Sequence, residues 1–259
     1  MRKLFAKTGF EALKQISHGR TLYAFDYDGT LSAIARHPGA AGIKFRTNAR
    51  LQKLSQYAPV AILTGRSIND LKRHLRFVPP YLIGNHGLEC VNTDAKVLHQ
   101  SKKLTARWKA KLQTNLHHCP LQSGIEVEDK TYSLAIHYRN CISKKLAKLE
   151  ILNLVGTLNP IPKIVLGKSV VNVLPERAPS KGVALLELML TLKINSAFYI
   201  GDDDTDEDVF SLPSPQILTV RVGKKASSQA RFYIEHQNEI DLVLKTLHEN
   251  RMKTHLANS

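Results

Sequence analysis

Short apolar runs alternate with amphipathic stretches along much of the 259-residue chain. The apolar runs are rich in β-branched and aromatic residues and end beside a glycine-bearing polar turn, as buried strands do. They cover residues 21–27, 59–65, 81–87, 196–202 and 216–223. The amphipathic stretches have apolar positions at helical spacing and cover residues 46–56, 67–75 and 180–192. This alternation predicts an α/β fold with a parallel sheet covered by helices on both faces.

The segment over residues 91–176 has a different pattern. Two basic helical stretches alternate there with the strand-like residues 123–139 and 162–175, and the latter has a glycine near its centre, as a hairpin does. We therefore expect an inserted α+β cap domain in this segment. The remaining residues, 1–90 and 177–259, are predicted to form a doubly wound, Rossmann-like core.

Polar side chains stand at the predicted carboxyl ends of the core strands, where ligands of open α/β sheets bind. They are Asp26, Asp28, Thr64, Asn85, His86 and the acids of 202–206. Since the carboxyl ends of parallel strands lie at one edge of the sheet, these side chains are predicted to meet in one crevice. For Asn85 and His86, a purely structural hydrogen-bonding role is the alternative.

The formal net charge of +15 widens the choice of partners. A strongly basic chain attracts polyanions, so a nucleic acid and a small phosphorylated substrate are both candidates. The basic runs 101–111 and 143–148 have helical spacing and are interpreted as solvated helix faces. Trp108 could stack on a nucleic acid, but one aromatic residue is a poor binding platform, so no nucleic-acid partner is expected.

Two features predict the cellular location. Charged residues interrupt any apolar segment that could follow Met1, and the longest apolar stretches are strand-sized, so no membrane span and no targeting signal are expected. Cys90, Cys119 and Cys141 are odd in number and widely spaced, which argues against a disulfide framework and a cysteine zinc site. We therefore expect a soluble protein of the reducing cytoplasm, whose last residues, 250–259, fray.

Asp26 and Asp28 follow a predicted strand with one residue between them, and Gly29 lets the chain turn directly afterwards. Two carboxylates about 4 Å apart repel by roughly 4 kcal/mol at an effective dielectric constant near 20, so a nearby cation is expected. The stretch "YIGDDDTDEDVF" (199–210) brings further acids to another strand end, and such oxygen ligands suit Mg²⁺. Lys181, at a predicted helix start, can also offset the charge.

Paired carboxylates of this kind suit phosphoryl transfer. One can act as a nucleophile and give an aspartyl-phosphate, while its neighbour protonates the leaving alcohol and then deprotonates the attacking water. A phosphate dianion within about 4 Å of a carboxylate is repelled by roughly 8 kcal/mol at that dielectric constant, so Mg²⁺ and Lys181 are both needed. The hydroxyl and backbone N–H groups of "TGR" (64–66) can hold the non-bridging oxygens.

Four short segments, in this order and at this spacing, resemble the motifs of the haloacid dehalogenase superfamily of phosphohydrolases. They are "DYDGTL" (26–31), "TGR" (64–66), "SKG" (180–182) and "GDDDTDED" (201–208). The second aspartate of the first motif discriminates within the superfamily, because dehalogenases expel a halide that needs no proton and transport ATPases carry threonine there. Asp28 therefore points to a phosphatase or a phosphomutase.

The predicted cap resembles that of the trehalose-6-phosphate phosphatases within this superfamily. The shared pattern comprises "GNHGLE" (84–89), an acidic-x-Lys pair at Glu128 and Lys130, a basic strand end at "HYR" (137–139), and a Gly-Lys pair at Gly167 and Lys168. The resemblance covers about residues 20–236. It implies a magnesium-dependent enzyme that hydrolyses trehalose 6-phosphate to trehalose and phosphate through an aspartyl-phosphate, with a functional link to a trehalose-6-phosphate synthase.

The resemblance also implies a role for individual residues. It makes Asp26 the nucleophile and Asp28 the general acid and base, with Thr64 and Lys181 as further catalytic residues. The implied magnesium ligands are Asp26, the carbonyl of Asp28, Asp202 and Asp206, the last as a ligand or as a partner of one. The implied substrate-binding residues are Gly65, Arg66, Asn85, His86, Glu128, Lys130, Arg139, Lys168 and Asn172. For the charged cap residues, cross-strand ion pairs on an exposed sheet are the alternative.

One residue departs from the family pattern. The family has a glutamate four residues after the lysine of the Gly-Lys pair, where it holds a glucose hydroxyl, whereas this chain has Asn172. An amide can bond a hydroxyl but lacks the charge that strengthens the bond. A related sugar-phosphate or glycosyl-glycerate phosphatase is therefore the alternative activity. An inactive nucleic-acid-binding homologue is a more distant alternative.

Overall fold

The computed structural model describes residues 1–34, 42–90, 92–117 and 123–258. The chain divides into two compact units, the first made of Met1–Gly87 and Ser180–Ser259 and the second of Leu88–Pro179. The sequence placed the joins after residues 90 and 176. The role assigned to each unit stays a prediction.

The predicted strands and helices appear in the predicted order, and further elements, at Arg2–Lys3, Lys7–Ile16, Phe232–Ile234 and Ile240–Asn258, were not predicted. The strands are β1 (Arg2–Lys3), β2 (Thr21–Phe25), β3 (Val60–Leu63), β4 (Tyr81–Ile83), β5 (Glu126–Asp129), β6 (Leu134–His137), β7 (Lys163–Gly167), β8 (Val170–Leu174), β9 (Ser196–Gly201), β10 (Ile217–Val222) and β11 (Phe232–Ile234). The helices are α1 (Lys7–Ile16), α2 (Phe45–Ser55), α3 (Ile68–His74), α4 (Ala95–His117), α5 (Lys144–Gly156), α6 (Lys181–Thr191), α7 (Glu207–Phe210) and α8 (Ile240–Asn258).

In the first unit, the described residues form a seven-stranded sheet in the order β1-β11-β10-β9-β2-β3-β4. Every pairing in it is parallel. From β2 the chain proceeds to β3 and β4 on one side, and after the second unit it returns to β9, β10 and β11 on the other. The order therefore reverses between β2 and β9, and such a switch point is where open α/β sheets bind their ligands.

Side chains of β9 alternate between the two faces of this sheet. Phe198 and Ile200 pack in a core that contains residues of α1, α2, α3 and α8. Tyr199 points to the opposite face and contacts Phe210 of α7, with ring centroids 6.0 Å apart. Helices thus cover both faces, and the predicted doubly wound α/β fold is confirmed.

The second unit contains an antiparallel sheet in the order β5-β6-β8-β7. Trp108 and Leu112 of α4 pack with Ile151 and Val155 of α5 and with Ile136 of β6 in one core, so both helices cover the same face of the sheet. The side chain of Trp108 is only 1% exposed. It is therefore a core residue and offers no surface on which a nucleic-acid base could stack.

The expectation that residues 250–259 fray is wrong, because α8 runs through nearly all of them. Arg251 anchors this helix. Its Nη1 donates to the carbonyl oxygens of Ser17 and Gly19 at 2.7 and 2.8 Å, and its Nη2 donates to that of Tyr57 at 3.2 Å. These bonds hold α8 against the turns that precede β2 and β3.

No helix formed by the described residues combines the length and the apolarity that a membrane-spanning segment needs. No disulfide joins Cys90 to Cys141. Cys119 lies outside the described residues. The predicted cytoplasmic location stays a prediction.

Candidate active site

Asp26 and Asp202 directly follow the two strands that flank the switch point. β2 ends at Phe25 and β9 at Gly201, and the backbone N–H of Asp26 donates to the carbonyl of Ile200 at 2.9 Å. Gly29 turns the chain back at a φ of 87°, and a Cβ atom there would lie 2.3 Å from Oδ2 of Asp202. Only glycine allows both this backbone conformation and this close approach, so it brings the first strand end against the second.

Lys181 joins two carboxylates in the interior of the first unit. Its Nζ donates to Oδ1 of Asp26 and to Oδ1 of Asp206, at 2.8 Å each. The side chains of Lys181, Asp26 and Asp206 are 2%, 7% and 0% exposed. Lys181 is the first residue of α6, whose N-cap Ser180 accepts a hydrogen bond from the N–H of Val183. The helix start therefore fixes where this buried cation lies.

Asp206 is held by three donors. Besides Lys181, the hydroxyl of Tyr199 donates to its Oδ1 at 2.6 Å, and the backbone N–H of Asp203 donates to its Oδ2 at 2.9 Å. Since both of its oxygens accept hydrogen bonds, Asp206 orients Lys181 toward Asp26. Whether Asp206 is a metal ligand or a partner of one, the two roles that the sequence left open, stays a prediction.

The charges of this cluster are distributed unevenly. Burial raises the pKa of Asp26 well above its ordinary value, and the carboxylates of Asp206 and Asp202 add to this against the opposing effect of Lys181. Burial alone would lower the pKa of Lys181, yet Asp206 and Asp26 raise it above its ordinary value. Burial would likewise raise the pKa of Asp206, but Lys181 and the hydrogen-bond donors hold it lower than usual. Asp206 is thus the stable counter-ion of Lys181, whereas Asp26 takes up a proton more readily than an ordinary aspartate does.

A cation fits this arrangement. Asp26, Asp202 and Asp206 are buried, and one carboxylate oxygen of each lies within 4.8 Å of the others. The charges of Asp206 and Asp202 raise the pKa of Asp26, and a further cation at this position would offset that repulsion. The donor set of carboxylate oxygens therefore suits a hard divalent cation.

Asp28 belongs to a second, more exposed cluster. Arg66 donates to both carboxylate oxygens of Asp28, from Nε to Oδ2 and from Nη2 to Oδ1, at 2.7 Å each. Its Nη1 donates to Oδ2 of Asp70, also at 2.7 Å. The side chain of Arg66 is 8% exposed, against 40% for Asp28 and 32% for Asp70. Burial would lower the pKa of Arg66, but the two carboxylates raise it above its usual range. The structure thus places Arg66 on Asp28, while its predicted contact with substrate stays a prediction.

The segment after β3 and the turn after β4 pack against each other. The hydroxyl of Thr64 accepts from the N–H of Arg66 at 3.2 Å, and the N–H groups of Asn85 and His86 donate to the carbonyls of Arg66 and Thr64 at 2.7 and 3.0 Å. A Cβ atom at Gly65 would lie 2.5 Å from Cε1 of His86, so glycine admits the imidazole there. Asn85 and His86 therefore have a structural role in this loop, and their contact with substrate stays a prediction.

In the second unit, the predicted binding residues lie in part on one row of the sheet. Glu128 on β5 is opposite Ala135 on β6, which is opposite Asn172 on β8, so the outer two side chains share a face. Nζ of Lys130 lies 3.3 Å from Oδ1 of Asn172, and Oε2 of Glu128 lies 2.7 Å from Nε2 of His137. The structure thus brings three of the five predicted cap residues to one strip of the sheet.

The other two predicted cap residues lie in exposed turns. Arg139 follows β6, and Lys168 lies in the tight turn between β7 and β8, where Ser169 adopts a φ of 61°. Both turns follow strands of the same sheet.

Three residues near the site were not singled out from the sequence. The sequence pattern indicates that Tyr199 is a core residue of an apolar strand, whereas in the structure its hydroxyl contacts Asp206. Asp70 lies four residues after Arg66, but Arg66 precedes α3 and its N-cap Ser67, so helical spacing does not pair the two. Arg221 interrupts the apolar strand β10 with a charge, which is a detectable signal. Its Nη2 donates to the carbonyl of Asp202 at 2.7 Å and so fixes the loop after β9.

Comparison with known proteins gives concordant results. The model of the trehalose-phosphatase family matches residues 24–237. The chain is 27% identical over 267 residues to "Probable trehalose-phosphate phosphatase D" of Arabidopsis thaliana, an alignment that covers 94% of this chain and 72% of that protein. It is 31% identical over 210 residues to the trehalose-phosphate phosphatase of Mycobacterium ulcerans, covering 76% of this chain and 53% of that protein. The chain thus spans about half the length of the mycobacterial relatives that it matches.

Solved structures share the fold. A crystal structure described as a trehalose-6-phosphate phosphatase related protein superposes with a TM-score of 0.72 at 21% identity, covering 90% of this chain and 99% of that one. The C-terminal domain of the Candida albicans trehalose-6-phosphate phosphatase gives 0.69 at 21% identity, covering 93% of this chain and 96% of that one. At this level of identity the likeness concerns the fold.

Proposed function

The chain belongs to the trehalose-phosphatase family, and we propose that it is a Mg²⁺-dependent phosphatase that converts trehalose 6-phosphate and water into trehalose and phosphate. The observation that carries the proposal is the buried contact of Lys181 with Asp26 beside Asp202, at the carboxyl ends of β2 and β9. A lysine between carboxylates, at the switch point of a parallel sheet, supports phosphoryl transfer to a carboxylate.

Asp26 is the proposed nucleophile. Lys181 holds its Oδ1, so we assign the attack on phosphorus to Oδ2. The new bond joins this oxygen to phosphorus while the bond from phosphorus to the sugar oxygen breaks. Lys181 offsets part of the repulsion between the carboxylate and the phosphate, which is roughly 8 kcal/mol at about 4 Å and an effective dielectric constant near 20.

Asp28 is the proposed acid and base. It protonates the departing sugar oxygen, then takes a proton from the water that attacks phosphorus, which releases phosphate and restores the carboxylate of Asp26. Its side chain is 40% exposed, which gives a leaving oxygen and a water molecule access. The hydroxyl of Thr64 accepts from the N–H of Arg66, so its own hydrogen can be donated to a phosphoryl oxygen.

Mg²⁺ is the proposed cofactor. We assign its ligands to Asp26, Asp202 and the backbone carbonyl of Asp28, with Asp206 as a ligand or as the residue that orients Lys181. When bound, the ion would supply positive charge against the phosphoryl oxygens. The three buried carboxylates of Asp26, Asp202 and Asp206, with one oxygen of each within 4.8 Å of the others, support this assignment.

Recognition of the substrate is assigned to residues of both units. They are Gly65, Arg66, Asn85 and His86 of the first unit and Glu128, Lys130, Arg139, Lys168 and Asn172 of the second. The row formed by Glu128, Lys130 and Asn172 supports this for the second unit, because it gathers donors and acceptors that suit sugar hydroxyls.

Replacement of the nucleophile tests the proposal. Asp26→Asn keeps the shape of the side chain but removes the attacking carboxylate, so phosphate release should fall by at least about 10³-fold. Far-ultraviolet circular dichroism should show an unchanged fold. Asp204→Asn is the matched control and should keep full activity. Asp204 follows the same strand as Asp202, but its side chain is exposed. Full turnover by Asp26→Asn would reject the nucleophile assignment.

Asn172 favours a second candidate, a phosphatase for a related sugar phosphate or glycosyl-glycerate phosphate. Its Oδ1 accepts from Lys130 and its Nδ2 donates to the carbonyl of Val165 at 3.1 Å, so this position presents a neutral amide. A panel of phosphosugars ranked by kcat/KM decides between the candidates. If trehalose 6-phosphate ranks well below another ester, the second candidate replaces the first, and a gain of trehalose 6-phosphate turnover in Asn172→Glu would locate the difference.

We further propose that the protein acts in the cytoplasm, with a trehalose-6-phosphate synthase as the source of its substrate. The three cysteines, odd in number and widely spaced, support a reducing compartment. Fractionation of the source cells tests the location.

A further inference from the structure

The orientation of Asp28 is fixed by one partner. Two parallel bonds from Arg66 engage both oxygens of its carboxylate at 2.7 Å. A side chain that is 40% exposed would otherwise rotate in solvent. Bidentate binding by a planar guanidinium removes this freedom, which a single-point cation cannot do.

Arg66 is fixed in turn by groups that have no part in the proposed chemistry. Oδ2 of Asp70 accepts from its Nη1 at 2.7 Å, Nε2 of His74 lies 3.3 Å from the same nitrogen, and the guanidinium lies 5.5 Å from the ring centre of Tyr27. Asp70 and His74 are one helical turn apart on α3, with Nε2 of the histidine 3.5 Å from Oδ1 of the aspartate. Helix α3 therefore holds the two side chains that contact Arg66, and Arg66 in turn contacts Asp28.

The first residues of α3 place Asp70 with precision. Ser67 is the N-cap, and its hydroxyl accepts from the backbone N–H of Asp70 at 3.2 Å. This bond fixes the backbone of Asp70 at the helix start. The side chain that holds Arg66 is thereby tied to the loop that carries Thr64.

We propose that Asp70 is a positioning residue of the phosphatase. By accepting a hydrogen bond from Nη1 of Arg66, it sets the direction in which Asp28 presents its carboxyl group to the leaving oxygen and to water. The inference rests on the proposed function, in which Asp28 is the acid and base. Asp70 contacts Asp28 only through Arg66, so its effect is on geometry. Misplacement of a reacting group by about 1 Å can lower a rate by about 100-fold, which sets the scale of the expected effect.

The first test separates turnover from binding. Asp70→Asn should lower kcat for the best phosphosugar of the panel by about 10- to 100-fold, because the neutral amide holds Arg66 less firmly. KM should stay within about two-fold, since Asp70 does not touch the substrate. Asp241→Asn is the matched control, because Asp241 is likewise a helical aspartate that accepts a side-chain hydrogen bond, from the hydroxyl of Thr47 at 2.9 Å, and the change should leave both constants unchanged. An unchanged kcat in Asp70→Asn would overturn the proposal.

The second test asks whether Asp70 acts through Arg66. In an Arg66→Lys background, the guanidinium that binds both oxygens of Asp28 is already missing. The further change Asp70→Asn should therefore alter kcat by less than about two-fold. If the same 10- to 100-fold loss appears in both backgrounds, Asp70 acts independently and the proposal is wrong. Thermal unfolding of each variant identifies any loss that comes from instability, and Asp70→Glu should recover part of the activity by restoring the charge.

Failure of the proposed function has its own readout. Asp28→Asn with wild-type kcat would reject the acid and base assignment itself. A large loss in Asp28→Asn together with wild-type kcat in Asp70→Asn would overturn only the inference about Asp70.

Discussion

Two clusters in the first unit have the same plan, a cation between two carboxylates, but differ in burial. Lys181 joins Asp26 and Asp206 in the interior, where the three side chains are at most 7% exposed. Arg66 is equally buried, but its two carboxylates, on Asp28 and Asp70, are 40% and 32% exposed. Water therefore solvates the acids of the second cluster and is excluded from the first.

This difference in solvation suits different tasks. A buried ion pair that loses one partner leaves a charge that water cannot stabilise, so the first cluster resists change and keeps a strong local field. An ion pair with exposed carboxylates contributes little to stability, and its exposure lets a leaving group and then water reach Asp28 while Arg66 keeps the direction of the carboxyl group. Three substitutions and the response to Mg²⁺ test this contrast through the stability of the folded protein.

The largest loss of stability is expected for Lys181→Met. It leaves Asp26 and Asp206 buried without their cation, which should lower the free energy of unfolding by about 3–5 kcal/mol. Urea unfolding measures this value. Lys225→Met is the matched control, because it breaks an exposed pair with Asp204 and should cost at most about 1 kcal/mol. If the free energy of unfolding fell equally in the two variants, burial would not be what makes the pair of Lys181 important.

The second effect is stabilisation by the cofactor. A ligand at 100 times its dissociation constant stabilises the folded state by about 2.7 kcal/mol, so Mg²⁺ should raise the melting temperature of the wild type and chelation should abolish its activity. Asp202→Asn should lose this response. Asp204→Asn, whose side chain is 60% exposed, should keep it. Activity that persists after chelation would contradict the proposed cofactor.

A smaller loss is expected for Tyr199→Phe. It removes the 2.6 Å bond to the charged Asp206, which should cost about 1.5–3 kcal/mol. Tyr23→Phe is the matched control, because Tyr23 is equally buried but donates to the neutral hydroxyl of Ser17 at 3.3 Å. Its expected loss is about 0.5–1.5 kcal/mol. The reverse order of the two losses would show that Asp206 does not depend on Tyr199.

The smallest change in stability is expected for Arg66→Lys. Each of its carboxylate partners is about a third exposed or more, so the loss should not exceed about 1 kcal/mol. Turnover should nevertheless fall, because a lysine cannot grip both oxygens of Asp28. Chemical unfolding and kcat, measured on one preparation, would separate the two effects. A loss of stability as large as that of Lys181→Met would remove the contrast between the clusters.

The sequence predicts the strand ends well because each strand is an apolar run that stops at a polar residue. Asp26, Thr64 and Asp202 all directly follow the last residue of β2, β3 or β9. The fold class follows from the same alternation. Lys181 also meets Asp26, as the charge argument anticipates, because a helix begins at that lysine.

The pattern of apolar and polar residues does not predict which side chains of different strands and helices contact each other. Tyr199 has the apolar neighbours of any core residue, and only the structure shows its hydroxyl on Asp206. Asp70 resembles a solvated helix residue until Arg66 is placed beside it. The stability of the last helix was also missed, since the bonds of Arg251 reach carbonyls more than 190 residues away in the chain.

The order of strands in the parallel sheet has a consequence for biosynthesis. β2 lies between β3 and β9, yet the 92 residues of the second unit, Leu88–Pro179, are translated before β9. The antiparallel unit is continuous in sequence and can fold as soon as it leaves the ribosome, whereas one edge of β2 waits for its neighbour. A nascent chain therefore exposes an unpaired, apolar strand edge over that interval, where chaperones would be expected to bind.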